Sequence, residues 1–225
     1  MQDLTNRRIL VTQSRDFMGP AICERLEALG ATVIADPRLL REPDAARAVV
    51  DAAGPIDALV ANLAIPAPST RLTEVDDAEW REVFETIVDP LPRLVRAAVP
   101  GMRQRGGGRI VVMGSASALR GMKRASTYSA ARGAQLAFVQ AAGVELVPDN
   151  IQVNVIAQNF VDNPTYFPKD LQENPRFKAR LEREVPLGRL VSAHEDASLV
   201  AYLCSDLAAC FVGQVFPMSG GWAVR

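Results

Sequence analysis

Histidine is nearly absent: His194 is the only one in 225 residues, and the three cysteines, Cys23, Cys204 and Cys210, fall at no metal-ligand spacing. One histidine cannot supply a His pair or a His-rich site within a chain, so no metal is expected. An odd number of cysteines with apolar neighbours reads as small buried core residues in a reducing cytoplasm. No apolar run approaches the roughly 18 residues that mark a membrane span. The start, Met1 to Arg8, contains no apolar signal core, which makes a cytoplasmic location the expectation. An excess of one charge sign is also missing. Lys and Arg number 25 against 26 Asp and Glu, a net charge of −1. That balance gives neither nucleic acid nor an anionic membrane an electrostatic reason to bind. Repeats, low-complexity stretches and linkers are absent too. What is present is 48% hydrophobic and 23% charged residues, a composition that excludes intrinsic disorder and can fill one sizeable core. One domain spanning residues 1–225 is the expectation.

Hydrophobic patterning alternates between two periods. Short apolar, β-branched runs predict strands at 8–12, 32–35, 56–61, 109–113, 151–156 and 214–216. Helical spacing predicts helices at 19–29, 44–53, 78–103, 127–146 and 194–205, with Pro90 and Pro92 kinking or breaking the third. Strand–helix alternation of this kind predicts an α/β fold: a single Rossmann-like, doubly wound parallel sheet flanked by helices. Such sheets bind ligands beyond the carboxyl ends of their strands. The residues to read for chemistry therefore follow Thr12, Val60, Met113 and Ile156.

The segment after Met113 reads Gly114-Ser115-Ala116-Ser117, and Tyr128 lies thirteen residues past Ser115. Arg132 follows Tyr128 by four residues, one helical turn, so both project from one helix face. A cation within ~4–6 Å of a tyrosine favours its phenolate. A serine hydroxyl at the strand tip would hold a substrate oxygen in reach. Ser115, Tyr128 and Arg132 are thus the candidate catalytic residues.

These residues resemble those of the short-chain dehydrogenase/reductase superfamily, and the resemblance runs over nearly the whole chain. The segment Asp57-Ala58-Leu59-Val60-Ala61-Asn62-Leu63-Ala64 is similar to that superfamily's Asn-Asn-Ala-Gly strand. The run Pro186-Leu187-Gly188-Arg189-Leu190 and the Gly220-Gly221 tail match as well. Departures fall where a nicotinamide cofactor would sit. The superfamily's loop Thr-Gly-x-x-x-Gly-x-Gly lets the pyrophosphate approach the backbone. Here it reads Thr12-Gln13-Ser14-Arg15-Asp16-Phe17-Met18-Gly19, with Gln13 and Phe17 replacing two glycines. The segment 36–40 does not reproduce the adenine-contacting strand. Ile87 stands in place of the relay asparagine, and Arg132 in place of the lysine.

Within the superfamily this combination resembles the halohydrin dehalogenases. The resemblance implies a carbon–halide lyase with no cofactor. A vicinal halohydrin is converted to an epoxide with release of halide and a proton, and small anions open epoxides in reverse. It implies a halide pocket from Phe17, Gln158, Asn159, Phe160 and Val161, and a substrate side lined by Ala64, Pro66, Met122, Tyr166 and Phe167. It also implies a homotetramer assembled through the helices within 78–103 and 127–146. The implied partners are a halohydrin or epoxide and a small anion, with no nucleic acid and no membrane. The alternative is an NAD(P)-dependent oxidoreductase with a degenerate cofactor loop. Trp80 and Trp222 read as packing, residues 176–183 as a solvated helix face, and His194 as a structural or solvated residue near a helix start.

Overall fold

The computed structural model describes residues 3–224. Six parallel strands form one sheet in the order β2-β1-β3-β4-β5-β6. They are β1 (Arg8–Val11), β2 (Thr32–Ala35), β3 (Ala58–Ala61), β4 (Gly108–Ser115), β5 (Ile151–Gln158) and β6 (Val215–Met218). The helices are α1 (Gly19–Ala28), α2 (Ala45–Ala53), α3 (Asp77–Ile87), α4 (Pro90–Gln104), α5 (Ser126–Leu146), α6 (Lys169–Glu173), α7 (Pro175–Glu184) and α8 (Ala193–Leu203). The predicted doubly wound α/β sheet is the fold observed.

Alternation along the central strands explains the two covered faces. Ile110 and Val112 of β4 join a core with residues of α2, α4 and α5, including Val49, Leu94 and Leu136. Their neighbours Val111 and Met113 face the opposite core, with Ile22 of α1 and Val200 of α8. A period of two along a strand buried on both sides requires this split.

The predicted helix at 78–103 is two helices, α3 and α4, parted at Val88–Asp89. Pro90 begins α4, where a missing amide hydrogen leaves no intrahelical bond unmade. Strands β4 and β5 each run two residues further than predicted, so Ser115 and Gln158 end their strands as register partners. Ser115 therefore stands on the sheet itself and not on the loop beyond it. The burial expected for all three cysteines holds for Cys204 only in full: Cys23 is partly covered and Cys210 exposed. Among the described residues, no helix is long and apolar enough to cross a membrane, and no group of three His, Cys, Asp or Glu could hold a metal ion.

Candidate active site

In this strand order the connections reverse direction between β1 and β3, and ligands bind outside such a switch point. The crevice there is closed by hydrogen bonds. Asn62, just past β3, donates to the carbonyls of Gln13 (3.0 Å) and Asp16 (3.1 Å). The Gln13 side chain pairs with the Ala64 backbone, donating to its carbonyl (3.1 Å) and accepting from its amide (2.7 Å). Gln13 and Phe17 both adopt left-handed backbone, φ 42° and 51°. The turn thus keeps a shape suited to glycine while its side chains fill the space that glycines would leave open. Gly19 is retained for a different reason: a Cβ there would lie 2.6 Å from the Gln13 carbonyl oxygen. The Phe17 ring rests on Tyr166 with centroids 5.5 Å apart.

Beyond the ends of β4 and β5 lies a cavity of about 220 Å³. Ser115, Tyr128 and Arg132 all line it, as do Phe17, Gln158, Asn159, Phe160 and Val161. Of the expected substrate side, Ala64, Met122, Tyr166 and Phe167 line it too. Pro66 does not: it is exposed, and Ala67 takes the lining position. The segment 65–69 has no regular periodicity from which the facing residue could be read.

The Ser115 hydroxyl donates to Ser117 Oγ (3.0 Å) and accepts from the Ser117 amide (3.2 Å). The Tyr128 and Tyr166 hydroxyls lie 3.4 Å apart. Tyr166 donates to the Ile65 carbonyl at 2.6 Å, which leaves Tyr128 as the donor in the longer contact between the two hydroxyls. Burial, reinforced by the neighbouring Tyr128, raises the Tyr166 pKa well above the ordinary phenol value. Tyr166 therefore stays protonated.

Arg132 is 3% exposed. Its Nη1 donates to the carbonyls of Leu63 and Met113 and to Gln135 Oε1, each at 2.9 Å. Gln135 in turn donates to the Ile87 carbonyl at 2.6 Å. Among the described residues Arg132 has no carboxylate partner, and its buried Nε has no hydrogen-bond partner. The guanidinium carbon lies 5.0 Å from the Tyr128 ring centroid. A buried cation held by dipoles alone favours negative charge developing nearby.

In the segment after β5, the Asn159 amide donates to Met218 (3.0 Å) and the Phe160 amide to Asn159 Oδ1 (2.9 Å). Both amides are thus already engaged. The Val161 amide has no partner among the described residues, and it follows Phe160, whose φ is 52°. Asn163 shapes the next turn: its side chain donates to the Val161 carbonyl (3.1 Å) and accepts from the Tyr166 amide (3.0 Å). That turn sets Tyr166 and Phe167 against the cavity.

Several lining or supporting residues were not read from the sequence. Gln135 acts through contacts distant in sequence, and Asn62 and Asn163, each within a segment matched by resemblance, receive no role of their own from the sequence. Arg180 lies in the stretch read as a solvated face, yet it lines the cavity. Asp196 is fully buried behind β5, where Gln158 donates to its Oδ2 at 2.7 Å. His194 is exposed on the first turn of α8, Trp80 stacks on Phe84 at 4.7 Å, and Trp222 packs on Phe160 at 6.1 Å.

A doubly wound sheet with a side-chain-lined cavity at its carboxyl edge places the chain among α/β enzymes. It belongs to the short-chain dehydrogenase/reductase superfamily: the family model described as enoyl-(acyl carrier protein) reductase matches residues 42–223. A solved structure described as a dehalogenation enzyme is 36% identical, with a TM-score of 0.91, covering 99% of this chain and 100% of that one. A halohydrin dehalogenase bound to ethyl (2S)-oxiran-2-ylacetate is 27% identical, with a TM-score of 0.88, covering 97% of this chain and 98% of that one. The cis-4-hydroxycyclohexanecarboxylate dehydrogenase of Sinomonas cyclohexanicum is 32% identical over 187 residues, 80% of this chain and 73% of that one. Other curated relatives also carry dehydrogenase or reductase names.

Proposed function

We propose that the chain is a halohydrin dehalogenase that works without a nicotinamide cofactor. The observation that carries this reading is Arg132, a buried cation with no carboxylate partner among the described residues, set against Tyr128 in the same cavity as Ser115. The substrate hydroxyl sits between Ser115 and Tyr128. Tyr128, as phenolate stabilised by Arg132, takes the hydroxyl proton. The freed oxygen attacks the adjacent carbon, forming the C–O bond of the epoxide as the carbon–halogen bond breaks. The halide leaves with the bonding pair, and the proton passes to solvent. Nucleophile and leaving group share one molecule, so holding the reactive rotamer supplies much of the rate. The departing anion is received by the Val161 amide and by the walls that Phe17 and Phe160 supply, since aromatic edges carry partial positive charge.

Gln13 and Phe17 support the absence of a dinucleotide. A pyrophosphate against this loop would have to displace the Gln13–Ala64 pair, and a nicotinamide the Phe17–Tyr166 contact. The residues present do not fit the cofactor, and no step is routed through one. The dehalogenase neighbours agree with this reading. A second reading, an NAD(P)-dependent oxidoreductase, is favoured by the names of the curated relatives. We also assign the chain a cytoplasmic location and a homotetrameric assembly, with α4 and α5 facing a second copy.

The two readings part on a direct test. Replacing Tyr128 with Phe removes the base, and halide release from a vicinal bromoalcohol should fall at least about a thousandfold, in line with loss of general-base catalysis. Circular dichroism of the variant should match the wild type. Retained release by the variant would refute Tyr128 as the base. Saturable NADPH binding with ketone reduction would establish the second reading instead.

A further inference from the structure

Two charged residues line the cavity, Arg132 and Arg180, and no Asp or Glu lines it among the described residues. Arg132 lies at depth, committed to carbonyl and amide oxygens. Arg180 differs. It comes from α7, whose Phe177 and Leu181 are buried, and the Phe177 ring packs on Phe167 at 5.6 Å. With α7 docked on that aromatic wall, Arg180 lies with its guanidinium carbon 5.4 Å from the Phe160 ring centroid. Its Nε donates to Glu184 Oε2 at 3.0 Å. Glu184 also accepts from Arg183 at 2.9 Å, so its charge is shared between two guanidinium groups. The terminal nitrogens of Arg180 have no hydrogen-bond partner among the described residues. Stacking on one side and Glu184 on the other hold the fork ready for a planar anion. This is the bidentate geometry that arginine offers and lysine does not.

We infer that Arg180 forms a subsite for a carboxylate carried by the substrate, so that the preferred halohydrins are halogenated hydroxy acids. The inference rests on the dehalogenase reading for the reaction, but the subsite itself does not depend on that reaction. The carboxylate is bound through Arg180 and the halide through the Val161 amide, with the Phe160 ring bordering both. Each of the two anions then has its own donors.

The test compares two substrates with one carbon skeleton, 4-chloro-3-hydroxybutanoate and 1-chloro-2-butanol, in the wild type, Arg180→Gln and Arg180→Lys. In the wild type kcat/KM should favour the carboxylate. In Arg180→Gln that preference should shrink about tenfold, mostly through KM, the size expected for one lost charge-assisted contact. Arg180→Lys should restore part of it, and added salt should weaken it, because Arg180 is half exposed. A preference unchanged in Arg180→Gln would overturn the subsite. Calorimetry with 3-hydroxybutanoate, which carries no halogen, separates this inference from the reaction. The wild type should bind it about tenfold more tightly than Arg180→Gln. If neither halohydrin is turned over but this difference persists, the subsite stands and the dehalogenase reading fails. Equal binding by both proteins, or none by either, would overturn the subsite whatever the reaction.

Discussion

Among the described residues the Asp196 side chain pairs with Gln158 alone, and its Oδ1 has no partner, although the residue is fully buried. Burial pushes its pKa up from 3.8 to about 7, against the opposing pull of the Gln158 hydrogen bond. The folded protein therefore holds this proton more tightly than the unfolded chain between those two values. The stability it contributes is full below the unfolded pKa and is lost as pH rises through about 7. Asp196→Asn removes the titration and keeps an acceptor for Gln158. The variant should gain on the wild type as pH rises from about 4 to about 7, by on the order of 1–4 kcal/mol. Urea unfolding at several pH values checks this, and parallel profiles for the two proteins would refute it. Asp196 was invisible in the sequence because it follows Glu195, which belongs to the Ser192 capping box, so helix-start logic accounts for the acidic pair without a buried carboxyl.

Among elements, the loop between β1 and α1 distinguishes this site most sharply from a dinucleotide crevice. Its left-handed Gln13 and Phe17 hold the shape of a glycine turn while occupying its interior. Phe17→Gly should remove one wall of the proposed halide pocket and weaken bromide product inhibition by about tenfold, the order expected for a lost desolvating contact. NAD should still not bind, because the Gln13–Ala64 pair remains. Inhibition kinetics with bromide and calorimetry with NAD check the two on the same variant; unchanged bromide inhibition or tight NAD binding would contradict them. This loop was legible in sequence because a strand end followed by a lone surviving glycine fixes where its residues lie. Ser115, Tyr128 and Arg132 were legible for the same local reason: a strand end and one helical turn place them. Arg180 was not. Which way α7 turns depends on Phe177 and Leu181 meeting the aromatic wall, a contact between segments whose period shows an apolar face but not its neighbour.

For the whole molecule, the two-sided sheet brings five separate segments to one cavity, and the residues that close it come from loops at strand ends. A second feature lies away from that edge. Val95 and Val99 of α4 and Phe138, Ala142 and Leu146 of α5 are the apolar part of an outer groove that Arg96, Arg103 and Glu145 also line. If other copies cover it in the proposed homotetramer, light scattering should give four times the 24.3 kDa chain mass, and Ala141→Arg, at an exposed position of the groove, should lower that mass without loss of helix content. A monomeric wild type would contradict the assembly.

On the proposed reading, carbon–halogen cleavage needs only the side chains and the Val161 amide of the cavity, and no nucleotide. Exhaustively dialysed protein, incubated with a simple vicinal chloroalcohol in nucleotide-free buffer, should release chloride and form epoxide in equal amounts, with one proton taken up by base in a pH-stat for each. Chloride release that appears only when NAD(P) is added, or no epoxide alongside the chloride, would contradict it.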